Sequence, residues 1–176
     1  MASIIDDLKT TWGKPNSVLA RLILVNAFVF IAINIIRLFI PADFYHQFLQ
    51  NLAMPTSLID RGLNVSGNYP NPFVLKQWTF FTAFFTHEGF GHILYNMLAL
   101  YWFGMLIRDF LGDRKLLSLY FLGGIAGSIS MLILYILVPG FGGGGKMLGL
   151  GASAAVFAIM VAAATKFPDY NFNLLF

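Results

Sequence analysis

Gly149-Leu150-Gly151-Ala152-Ser153-Ala154-Ala155-Val156-Phe157 places one hydroxyl, Ser153, among small and apolar residues. The apolar run that it opens continues to about Thr165, long enough to reach across most of a bilayer. A serine in such a helix can back-bond to its own helix or join two helices. The glycines and alanines around Ser153 also let another backbone, or a substrate, come very close. A second polar pair, His92 and Asn96, lies inside another apolar run. The meaning of Ser153 turns on whether these three residues meet.

The composition sets the class. Of 176 residues 58% are hydrophobic and 11% charged, and the mean hydropathy is +0.74. A soluble domain carries about twice that charged fraction. The chain therefore reads as an all-α, multi-pass membrane protein with a single bundle. It has no cysteine, which excludes disulfides, thiolate nucleophiles and thiolate metal sites. A net charge of +3 is too small to suggest nucleic acid. The first apolar run is long and has no small-residue cleavage site after it, so it reads as a retained span.

Residues 1–17 are polar and include Trp12, which suits a short cytoplasmic segment at the membrane surface. Residues 18–176 form the membrane domain, with four spans expected. Val18 to Ile40 is the first, rising about 35 Å. Asn26 and Asn34, eight apart, share a face expected to point into the bundle. Pro41 to Gln77 is long for a connection within a bundle. Its aromatic and polar mixture suits a structured loop half-sunk in the interface, with His46 given no role. Trp78 to Phe85 is apolar but too short to span. Phe90 to Ile107 is the second span, Arg108 to Lys115 a charged turn, and Leu116 to Val138 the third span. Gly123, Gly127 and Ser128 give the third span a small-residue face for close helix contact. Gly142 to Gly145 lack the spacing and Lys-Ser/Thr end of a phosphate loop and read as a flexible crossing. Leu148 to Thr165 is the fourth span.

Lys9, Lys14, Arg21, Arg108, Arg114, Lys115 and Lys166 flank one set of span ends, and Arg37, Arg61, Lys76 and Lys146 the other. This bias places both termini in the cytoplasm, at an inner or plasma membrane. His92, Asn96 and Ser153 then fall at similar depth on the outer side. His92 and Asn96 are four apart, so they share a helix face. Both can donate to one point, as an oxyanion hole requires. Ser153 near a helix start adds a backbone N–H without an intrahelical partner. Two readings stay open from the residues alone: acyl transfer by a serine nucleophile, or an interhelical hydrogen-bond cluster that only holds the bundle. Metal binding is weaker, because His87 and His92 are five apart and only Glu88 lies near them.

Phe85-Thr86-His87-Glu88-Gly89-Phe90-Gly91-His92-Ile93-Leu94-Tyr95-Asn96-Met97 resembles the second-helix motif of the rhomboid intramembrane serine proteases. The likeness continues through Gly104, Gly112 and Tyr120 and ends in Gly151-Ala152-Ser153-Ala154, covering roughly residues 78 to 165. It implies a rhomboid-like helical bundle that cleaves transmembrane segments of other proteins without metal or cofactor. By resemblance Ser153 is the nucleophile, His92 and Asn96 form the oxyanion hole with the Ser153 N–H, and Gly151 allows substrate approach. The first loop would be the family's membrane-embedded one.

Three departures accompany the likeness. Ala154 stands where the family usually has glycine, and Thr79 follows Trp78 where an arginine is usual. The family's base is a histidine on a sixth helix, and none of His46, His87 and His92 matches it. The expectation is that these 176 residues are the first part of a longer enzyme and are inactive alone, since a serine hydroxyl without a base is a weak nucleophile. The alternatives are an inactive relative that binds transmembrane helices as a scaffold, and a small transporter or channel. Against the last, no span carries an acidic residue and no inverted repeat is visible.

Overall fold

The computed structural model describes residues 17–54, 77–138 and 149–170. The N-terminal segment, the rest of the first long loop, the glycine run and the last six residues lie outside the described residues, and with them the expectations placed there. Among the described residues six α-helices follow in order: α1 Val18–Phe39, α2 Ala42–Leu52, α3 Thr79–Thr82, α4 Phe90–Leu111, α5 Asp113–Leu137 and α6 Ser153–Lys166. A 3₁₀ turn, Ala83–Phe85, continues α3.

The Ser17 side chain caps α1 by accepting from the Ala20 N–H, and the chain turns extended at Ile40, before Pro41. The long connection then does something the loop reading missed: it forms α2. Its Tyr45, Phe48, Leu49 and Leu52 recur at helical spacing and pack on Val29 and Ile33 of α1. Arg37 lies over the Tyr45 ring, 5.4 Å from its centre. Phe44 and His46 are exposed on the other side.

The charged turn is also tighter than expected. Helix α4 runs on to Leu111 and α5 begins at Asp113, so one residue, Gly112, makes the reversal at φ +86°. Arg108, Arg114 and Lys115 sit inside helical turns because charged side chains do not oppose helix where water or headgroups can solvate them.

Gly123 and Gly127 of α5 face α6, as the small-residue pattern implied. A Cβ on Gly123 would lie 2.5 Å from the Ala158 Cβ, and one on Gly127 would collide with Ala154. Gly124, turned aside, takes the Phe84 ring. Tyr120 is fully buried at the centre. Its hydroxyl accepts from Asn26 Nδ2 at 2.8 Å and lies 3.2 Å from both the Phe84 carbonyl and Asn26 Oδ1, one of which takes its proton. This ties α1, α5 and the 3₁₀ turn together. Asn34, on the same face as Asn26, is only half-buried and donates to the Phe30 carbonyl of its own helix. Helices α4 and α6 run parallel: Phe110 and Phe167 stack at one end, 4.7 Å apart, and the candidate site lies at the other.

Three helices, Val18–Phe39, Phe90–Leu111 and Asp113–Leu134, are long and apolar enough to cross a membrane. Only 17%, 39% and 22% of their most apolar windows are buried within the protein. Phe28, Leu38 and Phe39 are 71–80% exposed. Apolar surface on this scale is stable in lipid and not in water. The fourth span is shorter than expected: α6 starts at Ser153, and its 14 residues rise about 21 Å.

Because the α5–α6 contact has no room for a side chain, Gly127→Val is expected to cost about 1–3 kcal/mol of unfolding free energy. Gly91→Ala, with nothing within 4 Å of the added carbon, is expected to change it by less than about 0.5 kcal/mol. Thermal or denaturant unfolding of both variants in micelles checks the contrast.

Candidate active site

The late start of α6 has a local cause. Residues 149–152 are not part of the helix, although Ala152 already has αR backbone angles, and three of the four are held from outside. The Met54 N–H donates to the Gly149 carbonyl at 2.8 Å, the Gly151 N–H to the Ala83 carbonyl at 2.8 Å, and the Ala152 N–H to His87 Nε2 at 3.1 Å. Gly151 has φ +109°, which a side chain opposes. The Ala83 carbonyl opens the 3₁₀ turn by accepting from the Thr86 N–H at 3.3 Å and takes the Gly151 N–H as a second donor, since a carbonyl oxygen has two lone pairs. The Ala152 carbonyl then accepts from the Val156 N–H at 2.8 Å and opens α6.

Ser153 is therefore the first residue of the helix. It is exposed, and neither its hydroxyl nor its N–H has a hydrogen-bond partner among the described residues. At this position there is no preceding helical turn to back-bond to, so that use of the serine is ruled out by geometry. The positive end of the helix dipole adds to the free N–H.

His92 and Asn96 lie on α4, opposite. Asn96 is buried and donates to the His92 carbonyl at 2.8 Å. The His92 ring lies against Gly151: a Cβ there would stand 2.5 Å from Cε1 and 2.6 Å from Nε2. Gly151 is thus required both for its backbone conformation and for its lack of a side chain. His92, Asn96 and Ser153 line one open cavity of about 280 Å³, together with Tyr95, Val156 and Met160. Their side chains do not hydrogen-bond to one another among the described residues, so the interhelical cluster that was the plainer alternative is not formed. Ser153 also borders a second cavity of about 410 Å³, with Gly127, Ser128 and Met131 of α5, Met54 and Leu150. Nothing in the sequence reading anticipated that second cavity, because it arises from the absence of side chains on α5.

His87 is the polar residue that the spacing argument undervalued. Because it lies before α4 and not on it, its ring meets His92 edge to face at 5.2 Å. It is fully buried. Burial holds its pKa down to about 4, the neighbouring His92 adds to this, and the Phe85 carbonyl opposes it. Its signal was the quoted histidine-rich stretch, which fixed its place but not its bond to Ala152. His46 stands on α2 beside Tyr45 and forms no part of the cavity.

The two departures inside the described residues are accommodated. With no arginine after Trp78, the end of α2 is tied by Trp78 Nε1 donating to the Asn51 carbonyl and Thr82 Oγ1 to the Leu52 carbonyl, both at 2.8 Å. The Thr79 hydroxyl points to Met54 Sδ at 3.6 Å. Ala154 turns its methyl toward Gly127, where no side chain competes.

Residues 75–176 match the model of the Rhomboid domain family. RHOMBOID-like protein 12, mitochondrial, of Arabidopsis thaliana is 40% identical over 92 residues, 47% of this chain and 27% of that protein. Rhomboid-like protein 16, chloroplastic, of the same plant is 44% identical over 54 residues, 31% of this chain and 17% of the relative. Inactive RHOMBOID-like protein 8 of Arabidopsis thaliana is 27% identical over 94 residues, 53% of this chain and 25% of its own length. The chain thus spans between 17% and 27% of the length of these relatives. The family match over the helices that carry Ser153, His92 and Asn96, together with three membrane-capable helices, makes the chain an integral membrane protein belonging to the Rhomboid domain family.

Proposed function

We propose that this site belongs to an intramembrane serine endopeptidase that cleaves transmembrane segments of other proteins. One observation carries the reading: an exposed serine whose hydroxyl and N–H have no partner among the described residues, at the start of a helix, shares a cavity with two side-chain donors. In this reading Ser153 Oγ attacks the scissile carbonyl. The Ser153 N–H, His92 and Asn96 Nδ2 face the oxygen on which negative charge develops. Gly151 leaves room for the substrate backbone. The base is not assigned to His87, whose Nε2 already accepts from Ala152, nor to His92. It is proposed to be a histidine on a later helix, as the family resemblance implies. The substrate is a membrane protein, no cofactor takes part, and the lipid bilayer is the surrounding phase.

A second reading is favoured by the similarity to a relative named as inactive: the same groove binds transmembrane helices without cutting them. Cytoplasmic placement of both ends rests on the count of Lys and Arg alone. The relatives' names, mitochondrial and chloroplastic, argue for an organelle membrane as readily as for the inner or plasma membrane.

Membranes containing the full-length gene product are expected to cleave a transmembrane substrate, and a fluorophosphonate is expected to label Ser153. Ser153→Ala abolishes both. His92→Ala and Asn96→Ala each slow cleavage by about two to three powers of ten. A folded full-length protein that is neither labelled nor active decides for the scaffold. Gly151→Ala is expected to cost about 1–3 kcal/mol of stability. Part of that cost should vanish in a His92→Ala background, where the added methyl has no ring to strike, and a double-mutant cycle measures it.

A further inference from the structure

The chemistry assigned above makes no use of His87, yet this side chain is fully buried and bonded one residue before the serine. An imidazole nitrogen accepts a hydrogen bond only when it carries no proton. With Ala152 N–H pointing at Nε2 from 3.1 Å, the ring is neutral with its hydrogen on Nδ1. Nδ1 has no hydrogen-bond partner among the described residues. The groups around the ring are few. The 3₁₀ turn presents the Phe85 carbonyl, the segment before α6 presents the Ala152 N–H, and α4 presents His92, the one titratable group that faces it among the described residues. A proton on Nε2 would set N–H against N–H and leave a charge at a buried position beside another imidazole. Among the described residues three bonds hold the segment 149–152, and two of them join backbone to backbone. His87 supplies the only one that a proton can break.

We infer that His87 is a positioning residue: its neutral imidazole holds residues 149–152 so that the Ser153 hydroxyl and N–H stand beside His92 and Asn96, and protonation of the ring releases that segment. The catalytic consequence rests on the protease reading; the tether does not. The sign of the pH effect follows from burial. The folded ring gains its proton only near pH 4, whereas an exposed histidine gains it near pH 6.5. The tether's contribution to stability is complete above about pH 6.5. It declines as pH falls from there toward about 4, because the unfolded chain takes up a proton that the folded chain refuses.

The test uses the full-length protein in micelles with ¹⁵N-labelled histidine. His87 is expected to show a protonated Nδ1 and an unprotonated, hydrogen-bonded Nε2 at pH 6, and to stay neutral at pH 5. Amide exchange over residues 149–153, taken relative to an unstructured chain, is expected to rise about tenfold or more in His87→Leu. His87→Gln, whose side-chain oxygen can accept the same N–H, restores most of the protection and removes its loss on acidification. A ring charged at pH 6, a proton on Nε2, or unchanged exchange in His87→Leu overturns the inference. Should His87→Leu unfold throughout, the wild-type ring signals and the pH profile of His87→Gln decide. Failure of Ser153 labelling with the ring signals and protection as expected counts against the protease reading and leaves the tether standing.

Discussion

A helix that begins inside a protein's apolar depth must find partners for peptide groups that water would otherwise satisfy. That constraint shapes this molecule. Helix α6 opens at Ser153, and the four residues before it are not helical. The Ala83 carbonyl, the His87 ring and the Met54 N–H meet the groups so exposed. The short α3 and its 3₁₀ turn exist in this sense to bring carbonyls and His87 to that place. The first N–H of α6 then has no partner among the described residues and stands next to the serine hydroxyl, with the helix dipole behind it.

Holding the segment requires that its partners be held. The 3₁₀ turn is fixed by the Tyr120 hydroxyl and by the Phe84 ring lodged against Gly124. Tyr120 is in turn bound to Asn26 of α1. The end of α2 is tied to Trp78 and Thr82. Each of these bonds is modest in a membrane protein. Glycine and alanine rows bring α5 and α6 so close that a side chain on Gly123 or Gly127 would collide with α6. The same closeness leaves the space beside α5 that becomes the larger cavity.

Family membership and site geometry are separate arguments that meet on the same residues. The family match covers residues 75–176, and the cavity that joins His92, Asn96 and Ser153 lies within it. A family that includes a protein named as inactive makes the free hydroxyl and its reactivity the point on which function turns.

The sequence by itself determined the membrane class, the three long apolar helices α1, α4 and α5 and the shared face of His92 and Asn96, because hydropathy and a 3.6-residue period are local properties. The small-residue face on Gly123 and Gly127 was legible for the same reason. The pattern of α2 was present at Tyr45, Phe48, Leu49 and Leu52 but was masked by the polar residues between them. Tertiary structure alone decided that α6 starts at Ser153 and not at Leu148, that one glycine turns α4 into α5, and that His87 binds Ala152. Each of these depends on a partner distant in the chain: a carbonyl at Ala83 or a ring at His87 wins peptide groups that local propensity would have given to a longer helix. No periodicity records that competition, since its outcome is set by which groups the packed bundle leaves without water.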